Sequence, residues 1–210
     1  MNKRGTVSRS AMNKKEEKRR VTRQKIIDAA THLFARQGYH KTTMQEIALH
    51  ISMTTGAIFH YFSSKRVILD EVVEKHDRNM TAYVAFLSRN HESYEAMLKG
   101  LVAMFVEQFH ENPDAIIGLT SLSAELSETG MPVVAKIQAA YDRFVDAFEQ
   151  AIDPLPGSRH KRAAAVSFIS GIQGLAIQAL LRKGEIGFDE LVQGFLDAHL
   201  SMNNRRLPPA

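Results

Sequence analysis

An all-helical protein is the fold class that this sequence predicts, and three observations support it. Apolar residues recur at spacings of three and four along most of the chain, which is the period of a helix with one buried face. Alternating apolar and polar stretches bounded by turn dipeptides, which mark β-strands, are absent. The 210 residues are enough to bury a sizeable core in one domain or two small ones. We therefore expect helices packed against helices.

The charged residues divide the chain into a basic head and an acidic body. Residues 1–66 contain 14 Lys and Arg against 4 Asp and Glu, a net charge of +10, whereas residues 67–210 contain 13 against 19, a net charge of −6. Such an asymmetry is typical of a nucleic-acid-binding head on a body that does not bind nucleic acid, although a solvated basic tail gives the same pattern. The chain has no cysteine, which excludes disulfides, thiolate metal sites and cysteine nucleophiles.

Residues 1–20 are basic and polar and lack the apolar segment of a secretory signal. We expect a mostly disordered arm, which either contacts phosphates or a minor groove or has no binding role. A cytoplasmic location is the corresponding expectation.

Residues 21–66 contain the capping signals of three helices. Thr22 is a candidate N-cap for the first, and Gly38 stands where a left-handed C-cap belongs. Thr43, with a glutamate three residues later, fits a capping box at the start of the second helix. Thr54 is the candidate N-cap of the third. Two short capped helices joined by a tight turn make a helix-turn-helix unit, whose last helix enters the major groove of DNA.

The third helix, read as TGAIFHYF, has the composition expected of a recognition helix. Thr55, Gly56 and Ala57 are small enough at its tip to approach base edges closely. Ile58 and Phe62 are four residues apart and are expected to face inward. Further DNA contacts are expected around its sides and at the starts of the neighbouring helices, mainly to phosphate and sugar, from Thr43, Thr54, Phe59, His60, Tyr61 and Lys65. A phosphate at the first turn of the next helix would offset the unfavourable position of its cations at a helix N-terminus.

This stretch resembles the tetracycline-repressor (TetR) family of bacterial transcription regulators. The family motif runs approximately as LFxxxGYxxTTxxxIAxxAGVSxGxLYxYFxSKExL, and residues 33–69 read LFARQGYHKTTMQEIALHISMTTGAIFHYFSSKRVIL. Three residues depart from it. Ser52 replaces the usual turn glycine, which implies strain; Phe59 replaces a tyrosine, which removes one phosphate contact; and Arg66 replaces a glutamate.

The body, residues 67–203, is predicted to begin with a linking helix from Lys65 and to continue with five more. Their expected ranges are 65–86, 93–112, 114–128, 133–152, 163–181 and 188–202. Residues 153–158 form a predicted loop, and the tail at 204–210 is predicted to be disordered. Residues 163–181 carry no charge and are long enough to span a membrane. Their two glutamines, two serines and two glycines are too polar for that, and burial in an oligomer explains an apolar helix equally well.

The resemblance implies a dimer and a ligand cavity. In the family the last two helices of each subunit form a four-helix bundle, and the matching candidates here are Phe168, Gly171, Leu175, Phe195 and His199. The middle helices of the family enclose a small-molecule pocket, and the matching candidates are Phe105, Phe109, Leu122, Tyr141, Phe144, Phe148 and Gln173. Ordinary core burial is the competing interpretation for each pocket residue.

Enzyme chemistry has little support in the sequence. A di-metal helical bundle needs paired carboxylates and two Glu-x-x-His motifs, and the chain has one, from Glu107 to His110. A zinc-protease motif, a phosphate-binding glycine loop and a nucleophile elbow are all missing, so we expect no catalysis, cofactor or metal. The sequence predicts a dimeric repressor that binds an inverted repeat in double-stranded DNA and is released by a small, largely apolar effector. The alternatives are a DNA-binding dimer without an effector and, less favoured, a helical-bundle metalloenzyme.

Overall fold

The computed structural model describes residues 4–152 and 160–204, with side chains described for 14–152 and 160–200. Within these ranges every regular element is an α-helix, which confirms the predicted fold class. The helices are α1 (Arg4–Gln37), α2 (Met44–His50), α3 (Thr55–Phe59), α4 (Lys65–Leu87), α5 (Tyr94–Glu111), α6 (Pro113–Leu126), α7 (Pro132–Ile152), α8 (Lys161–Leu181) and α9 (Phe188–Asn204).

Helix α1 begins much earlier than the sequence predicts. Thr22 lies inside it, and its hydroxyl donates to the Lys18 carbonyl at 2.9 Å. The prediction of Thr22 as an N-cap is therefore wrong, because its side chain bonds back into the preceding helical turn. The basic segment expected to be disordered is helical from Arg4, and an ion pair of 2.8 Å between Arg20 and Glu17 spans one turn of it.

The described residues form two compact units, which divide within α4 between Val72 and Val73. The N-terminal unit has a small apolar core supplied by α1, α2, α3 and the first turns of α4. Its most buried large side chains are Phe34, Phe62, Ile26, Ile47, Ile58, Ile68 and Leu69.

The C-terminal unit is a helical bundle in which α7 packs on α8, α8 on α9, and α5 on both α6 and α9. Its core is rich in aromatic rings, namely Phe105, Phe144, Phe148 and Phe168, each at most 2% exposed. Ser93 caps α5 by accepting from the Ala96 amide at 3.1 Å, and α6 begins directly at Pro113. The predicted loop at 153–158 and the tail residues 205–210 lie outside the described residues.

Helix α8 is long and apolar enough to cross a membrane by length and composition, with a mean hydropathy of 1.6. It is nevertheless part of the helical bundle. Phe168 and Ile172 are at most 1% exposed, and Gln173 donates to the Tyr141 hydroxyl at 2.6 Å. About a third of the apolar window of α8, 33%, is buried within the single chain, and these residues form its contacts with the rest of the bundle.

Candidate nucleic-acid interface and internal cavity

Helix α2 starts at the predicted capping box. The Thr43 hydroxyl accepts from the Glu46 amide at 3.1 Å, and the Glu46 carboxylate accepts from the Thr43 amide at 2.7 Å. These hydrogen bonds lower the pKa of the Glu46 carboxyl. Gly38 has the expected positive φ of 89° at the end of α1. The sequence prediction of both helix ends is confirmed.

The turn between α2 and α3 contains a strained residue. Ser52 has a φ of 57°, in the left-handed region that favours glycine, and the Met53 amide donates to the Ala48 carbonyl at 2.8 Å. The strain expected from a serine at the turn position is therefore present.

Helix α3 is shorter than the predicted TGAIFHYF stretch. Thr54 caps it by accepting from the Ala57 amide at 3.2 Å, and the helix ends at Phe59 with His60 as its C-cap. Ile58 and Phe62 are at most 1% exposed and anchor the segment to the core, as expected from their spacing. The opposite side of this segment therefore faces away from the core.

The structure gathers most of the predicted DNA contacts around that outward side. Gly56 is exposed, and a Cβ added there would meet no heavy atom within 4 Å. Phe59 is 51% exposed, an unusual position for a phenylalanine, and His60 is exposed beside it. The other members lie half-buried or exposed near the same helix, namely Thr43, Thr54, Thr55, Ala57 and Tyr61.

Lys65 departs from the prediction of a phosphate contact. Its Nζ atom donates to the carbonyls of Tyr39 at 2.7 Å, His40 at 3.3 Å and Thr42 at 2.6 Å, and lies 4.4 Å from the centre of the Tyr39 ring. An ammonium group has three donors, and all three have acceptors within the protein. The side chain thereby ties the first turn of α4 to the segment between α1 and α2. This geometry is that of a structural clamp rather than of a free cation awaiting phosphate.

A second clamp at Arg23 was not predicted. Its guanidinium pairs with the Glu71 carboxylate, donates to the Tyr61 carbonyl at 3.2 Å and lies 4.3 Å from the centre of the Phe62 ring. It links α1 to α4 and to the end of the recognition segment. Nothing in the local sequence marks this contact, because Arg23 and Glu71 meet only through the fold.

The C-terminal unit contains a small, partly open cavity of about 10 Å³ between α4, α5, α6 and α8. Two of the predicted pocket residues, Phe105 and Gln173, line it, and Tyr141 is the partner of Gln173. Phe109 instead stacks on Phe188, with 4.1 Å between ring centres. The remaining predicted members are core residues that are at most 2% exposed, namely Leu122, Phe144 and Phe148, because the aromatic rings of the bundle pack on one another.

Half of the cavity residues that sequence reasoning missed come from α4. His76 is 7% exposed and lines the cavity with Asn79 and Tyr83. Burial lowers the pKa of His76 to about 4, against the opposing effects of Asp77 and of a hydrogen bond to the Ala115 backbone. The ring is therefore neutral at pH 7. One histidine in a charged helix gives no sequence signal of this position.

The predicted dimer residues fall into two groups. Phe168 is 1% exposed and belongs to the core of its own chain, so its contact with a partner stays a prediction. Gly171 also serves the fold of its own chain, because a Cβ there would lie 2.6 Å from the Phe195 ring. The His199 ring lies against the Phe195 ring in a tilted arrangement, with 4.1 Å between ring centres, and Leu175 is half-buried. The exposed apolar residues of α8 are Val166 at 46%, Ile177 at 39% and Leu181 at 72%.

The Glu-x-x-His motif is not assembled into a metal site. His110 Nε2 lies 2.8 Å from the Asp189 carboxylate, and Glu107 stands on the surface. Among the described residues no group of three or more His, Cys, Asp and Glu side chains is arranged to hold a metal ion.

Comparison with known proteins agrees with this geometry. The pattern of the family described as "Bacterial regulatory proteins, tetR family" matches residues 26–72. TtgR, an HTH-type transcriptional regulator of Pseudomonas putida, is 26% identical over 209 residues, which cover 93% of this chain and 96% of TtgR. An uncharacterised HTH-type transcriptional regulator of Bacillus subtilis, YuxN, is 29% identical over 114 residues, which cover 54% of this chain and only 37% of YuxN.

A similar fold is also found in a solved structure. The MbdR regulator from Azoarcus sp. CIB aligns with a TM-score of 0.74 at 21% identity, covering 88% of this chain and 98% of MbdR. The capped helices α2 and α3, joined by a tight turn, form a helix-turn-helix unit, a motif of DNA-binding proteins. The family match covers residues 26–72, while the similarity to TtgR and to the fold of MbdR extends along most of the chain. Its relatives are DNA-binding regulators rather than enzymes.

Proposed function

We propose that this regulator is a cytoplasmic homodimeric repressor that binds an inverted-repeat operator and is released by a small, largely apolar molecule. The observation that carries the proposal is the outward face of α3. Its tip is small and open at Gly56, while Phe59 and His60 are exposed on a segment otherwise anchored by Ile58 and Phe62. An exposed aromatic ring beside an open helix tip suits contact with the sugars of a duplex.

The α3 face is proposed to divide its contacts by type. Thr55, Gly56 and Ala57 at the helix tip reach base edges, whereas Phe59, His60 and Tyr61 lie beside sugar and phosphate. Thr43 and Thr54, at the starts of α2 and α3, add phosphate contacts next to the helix N-termini. The basic α1 residues before Thr22 increase non-specific attraction, which salt screens.

Dimerisation is proposed to use the exposed stripe on α8. Val166, Ile177 and Leu181 point to one side of the helix at helical spacing, and a Cβ at Gly174 would meet nothing within 4 Å. An apolar stripe of this kind is buried when two copies of the helix pair. Phe195 and His199, which are half-buried beside Gly171, lie on the neighbouring α9 and extend the proposed surface.

Footprinting with a matched pair of variants tests the DNA-binding and dimer proposals together. The wild type is expected to protect a site with dyad symmetry whose half-sites are about one helical turn, roughly 34 Å, apart. Ile177→Asp is expected to give monomers in light scattering and to lose that footprint, whereas Ala139→Asp, an exposed change on α7, keeps both. Protection of a single asymmetric half-site by the wild type contradicts the proposal.

The response to an effector is proposed to pass through α4. The cavity of about 10 Å³ has room for roughly one water molecule, so any organic ligand must separate the lining helices. Helix α4 supplies His76, Asn79, Met80 and Tyr83 to that lining. Its first turn is clamped to the helix-turn-helix segments by Lys65, so displacement of α4 strains those contacts.

Thermodynamic linkage between ligand binding and operator binding provides a test of the proposed effector response. A ligand shifts DNA binding only if its affinity differs between the two arrangements, and operator DNA must then weaken the ligand by the same factor. A coupling of about 1–3 kcal/mol, roughly 5- to 150-fold, is expected. Titration of a bound small molecule with and without operator measures it. Equal affinities for every bound molecule favour the alternative, a DNA-binding dimer without an effector.

A further inference from the structure

The cavity of the C-terminal unit contains an unmet hydrogen-bonding group. His76 is buried and donates to the Ala115 backbone, whereas its Nε2 has no hydrogen-bond partner among the described residues. A neutral imidazole has one N–H, so the nitrogen left over is an acceptor. A buried acceptor without a partner loses its hydrogen bond to water uncompensated, and a ligand that donates to it restores that hydrogen bond.

The residues around His76 limit which functional group of a ligand can bind in this cavity. The side-chain amides of Asn79 and Gln108 line the same cavity and can donate, while Met80, Phe105 and Ile116 make the rest apolar. A hydroxyl group both donates and accepts, so one hydroxyl satisfies an acceptor and an amide donor at once. An ether lacks the proton that Nε2 requires.

A surface depression leads towards this cavity. It has a volume of about 140 Å³ between α4 and α5 and shares Asn79, Tyr83 and Gln108 with the cavity lining. Its other residues include Glu107 and Glu111, both exposed carboxylates. Burial, with a smaller effect of Glu107, raises the pKa of the Tyr83 hydroxyl. An anion entering here meets two like charges and, within, a neutral histidine.

We propose that the cavity binds an uncharged alcohol or phenol with an apolar body, and that the protein discriminates against the corresponding carboxylate. The hydroxyl donates to His76 Nε2, the apolar body separates α4 from α5 and α6, and Glu107 and Glu111 disfavour anions. This inference rests on the proposed effector response for its regulatory meaning, but the binding chemistry stands separately. It specifies the class of ligand, which the family resemblance leaves open.

Three ligands of one shape test the proposal on the full-length protein at pH 7: naphthol, its methyl ether and naphthoate, all substituted at the same ring carbon. Binding is measured by calorimetry and by the shift in melting temperature. Naphthol is expected to bind at least about tenfold more tightly than the ether, because the ether leaves Nε2 unpaired. Naphthoate is expected to bind more weakly than naphthol by a similar or larger factor.

Variants separate the two recognition elements. His76→Phe is expected to remove the preference for naphthol over the ether, while His76→Gln, whose amide oxygen is an acceptor, retains part of it. Changing Glu107 and Glu111 together to glutamine is expected to strengthen naphthoate binding severalfold and to leave naphthol unchanged. Glu128→Gln, an exposed carboxylate elsewhere, is the control that changes neither.

The outcomes distinguish this inference from the proposed function. An ether or carboxylate that binds the wild type as tightly as naphthol overturns the proposed ligand class, as does the absence of binding by all three. Operator binding is measured separately. If naphthol binds with the expected preferences and operator affinity stays the same, the ligand class stands and the effector response fails.

Discussion

The N-terminal unit (the head) and the C-terminal unit (the body) differ in how fully their buried polar side chains are hydrogen-bonded. In the N-terminal unit Thr31 and Thr42, at most 7% exposed, donate to backbone carbonyls one turn away, and Lys65 uses all three donors. Arg66 Nε is the exception there, with the Asp70 carboxylate 3.8 Å away. In the C-terminal unit His76 Nε2 and Ser123 Oγ have no partner within the described ranges. Apart from Arg66 Nε, the buried side chains named in the head form hydrogen bonds, whereas the body keeps a buried acceptor at His76 that a ligand can use.

The largest expected effect concerns the clamp that completes the head. Lys65→Met keeps the apolar stem but removes the donor from three carbonyls, and is expected to destabilise the protein by about 3 kcal/mol or more, since hydrogen bonds from a charged group contribute about 1.5–3 kcal/mol each. Chemical denaturation measures the loss. Lys41→Met, on an exposed lysine, is the control.

The same variant decides between the two roles considered for Lys65. If its stability equals that of the wild type and the salt dependence of operator binding falls by about one phosphate contact, Lys65 binds DNA as the sequence predicted. A large loss of stability with an unchanged salt slope for the residual binding supports the clamp.

We expect the free energy of unfolding to depend on pH through His76, the buried histidine of the C-terminal unit. The pKa of His76 is about 4 in the folded protein against an ordinary value of 6.5, so the unfolded chain binds the extra proton between these values. The free energy of unfolding therefore keeps its full value above pH 6.5 and decreases as the pH falls towards 4. The expected decrease is about 3 kcal/mol, at 1.36 kcal/mol per pKa unit.

Variants isolate this contribution from that of the carboxylates. His76→Phe is expected to show a smaller loss of unfolding free energy than the wild type over the same pH range. His60→Phe, which changes an exposed histidine in the head, is expected to follow the wild type. Parallel losses in all three proteins contradict the assignment of the pH dependence to His76.

Capping in the head gives a smaller effect. Thr54→Ala removes the acceptor of the Ala57 amide and is expected to cost about 1 kcal/mol of unfolding free energy. Thr55→Ala changes a neighbouring residue without a cap bond and is expected to change the sequence preference of DNA binding rather than stability. Selection of preferred DNA sites and thermal unfolding of both variants measure the two effects. A Thr55→Ala protein with unaltered preference argues against its proposed contact with base edges.

The difference between the units also explains how far the sequence could be interpreted. The caps at Thr43 and Thr54, the positive φ at Gly38 and the burial of Ile58 were predictable, because each depends on residues within a few positions of one another. The clamps at Lys65 and Arg23 were not, because they join positions from 23 to 48 residues apart.

Helical periodicity in the body could not distinguish cavity from core. Phe144 and Phe148 lie on the apolar face of α7 as a pocket wall would, but both are fully packed against other rings. His76 lies in a charged stretch, and its burial follows only from the packing of α4 against its neighbours. Tertiary contacts, rather than local sequence, therefore determine which residues line the cavity.

The smallest expected effect concerns backbone strain in the head, at the turn between α2 and α3. Ser52 is held at a φ of 57°, the one positive value among non-glycine residues in the described ranges, where a side chain costs roughly 1–2 kcal/mol. Glycine removes that strain but loses more conformational entropy on folding, so Ser52→Gly is expected to stabilise the protein by about 0.5–1 kcal/mol net. Ser63→Gly, at an exposed position outside the left-handed region, carries the entropy loss alone and is expected to be neutral or destabilising. Thermal unfolding compares the two variants with the wild type. A destabilised Ser52→Gly protein would mean that the serine side chain stabilises the turn by more than its backbone strain costs.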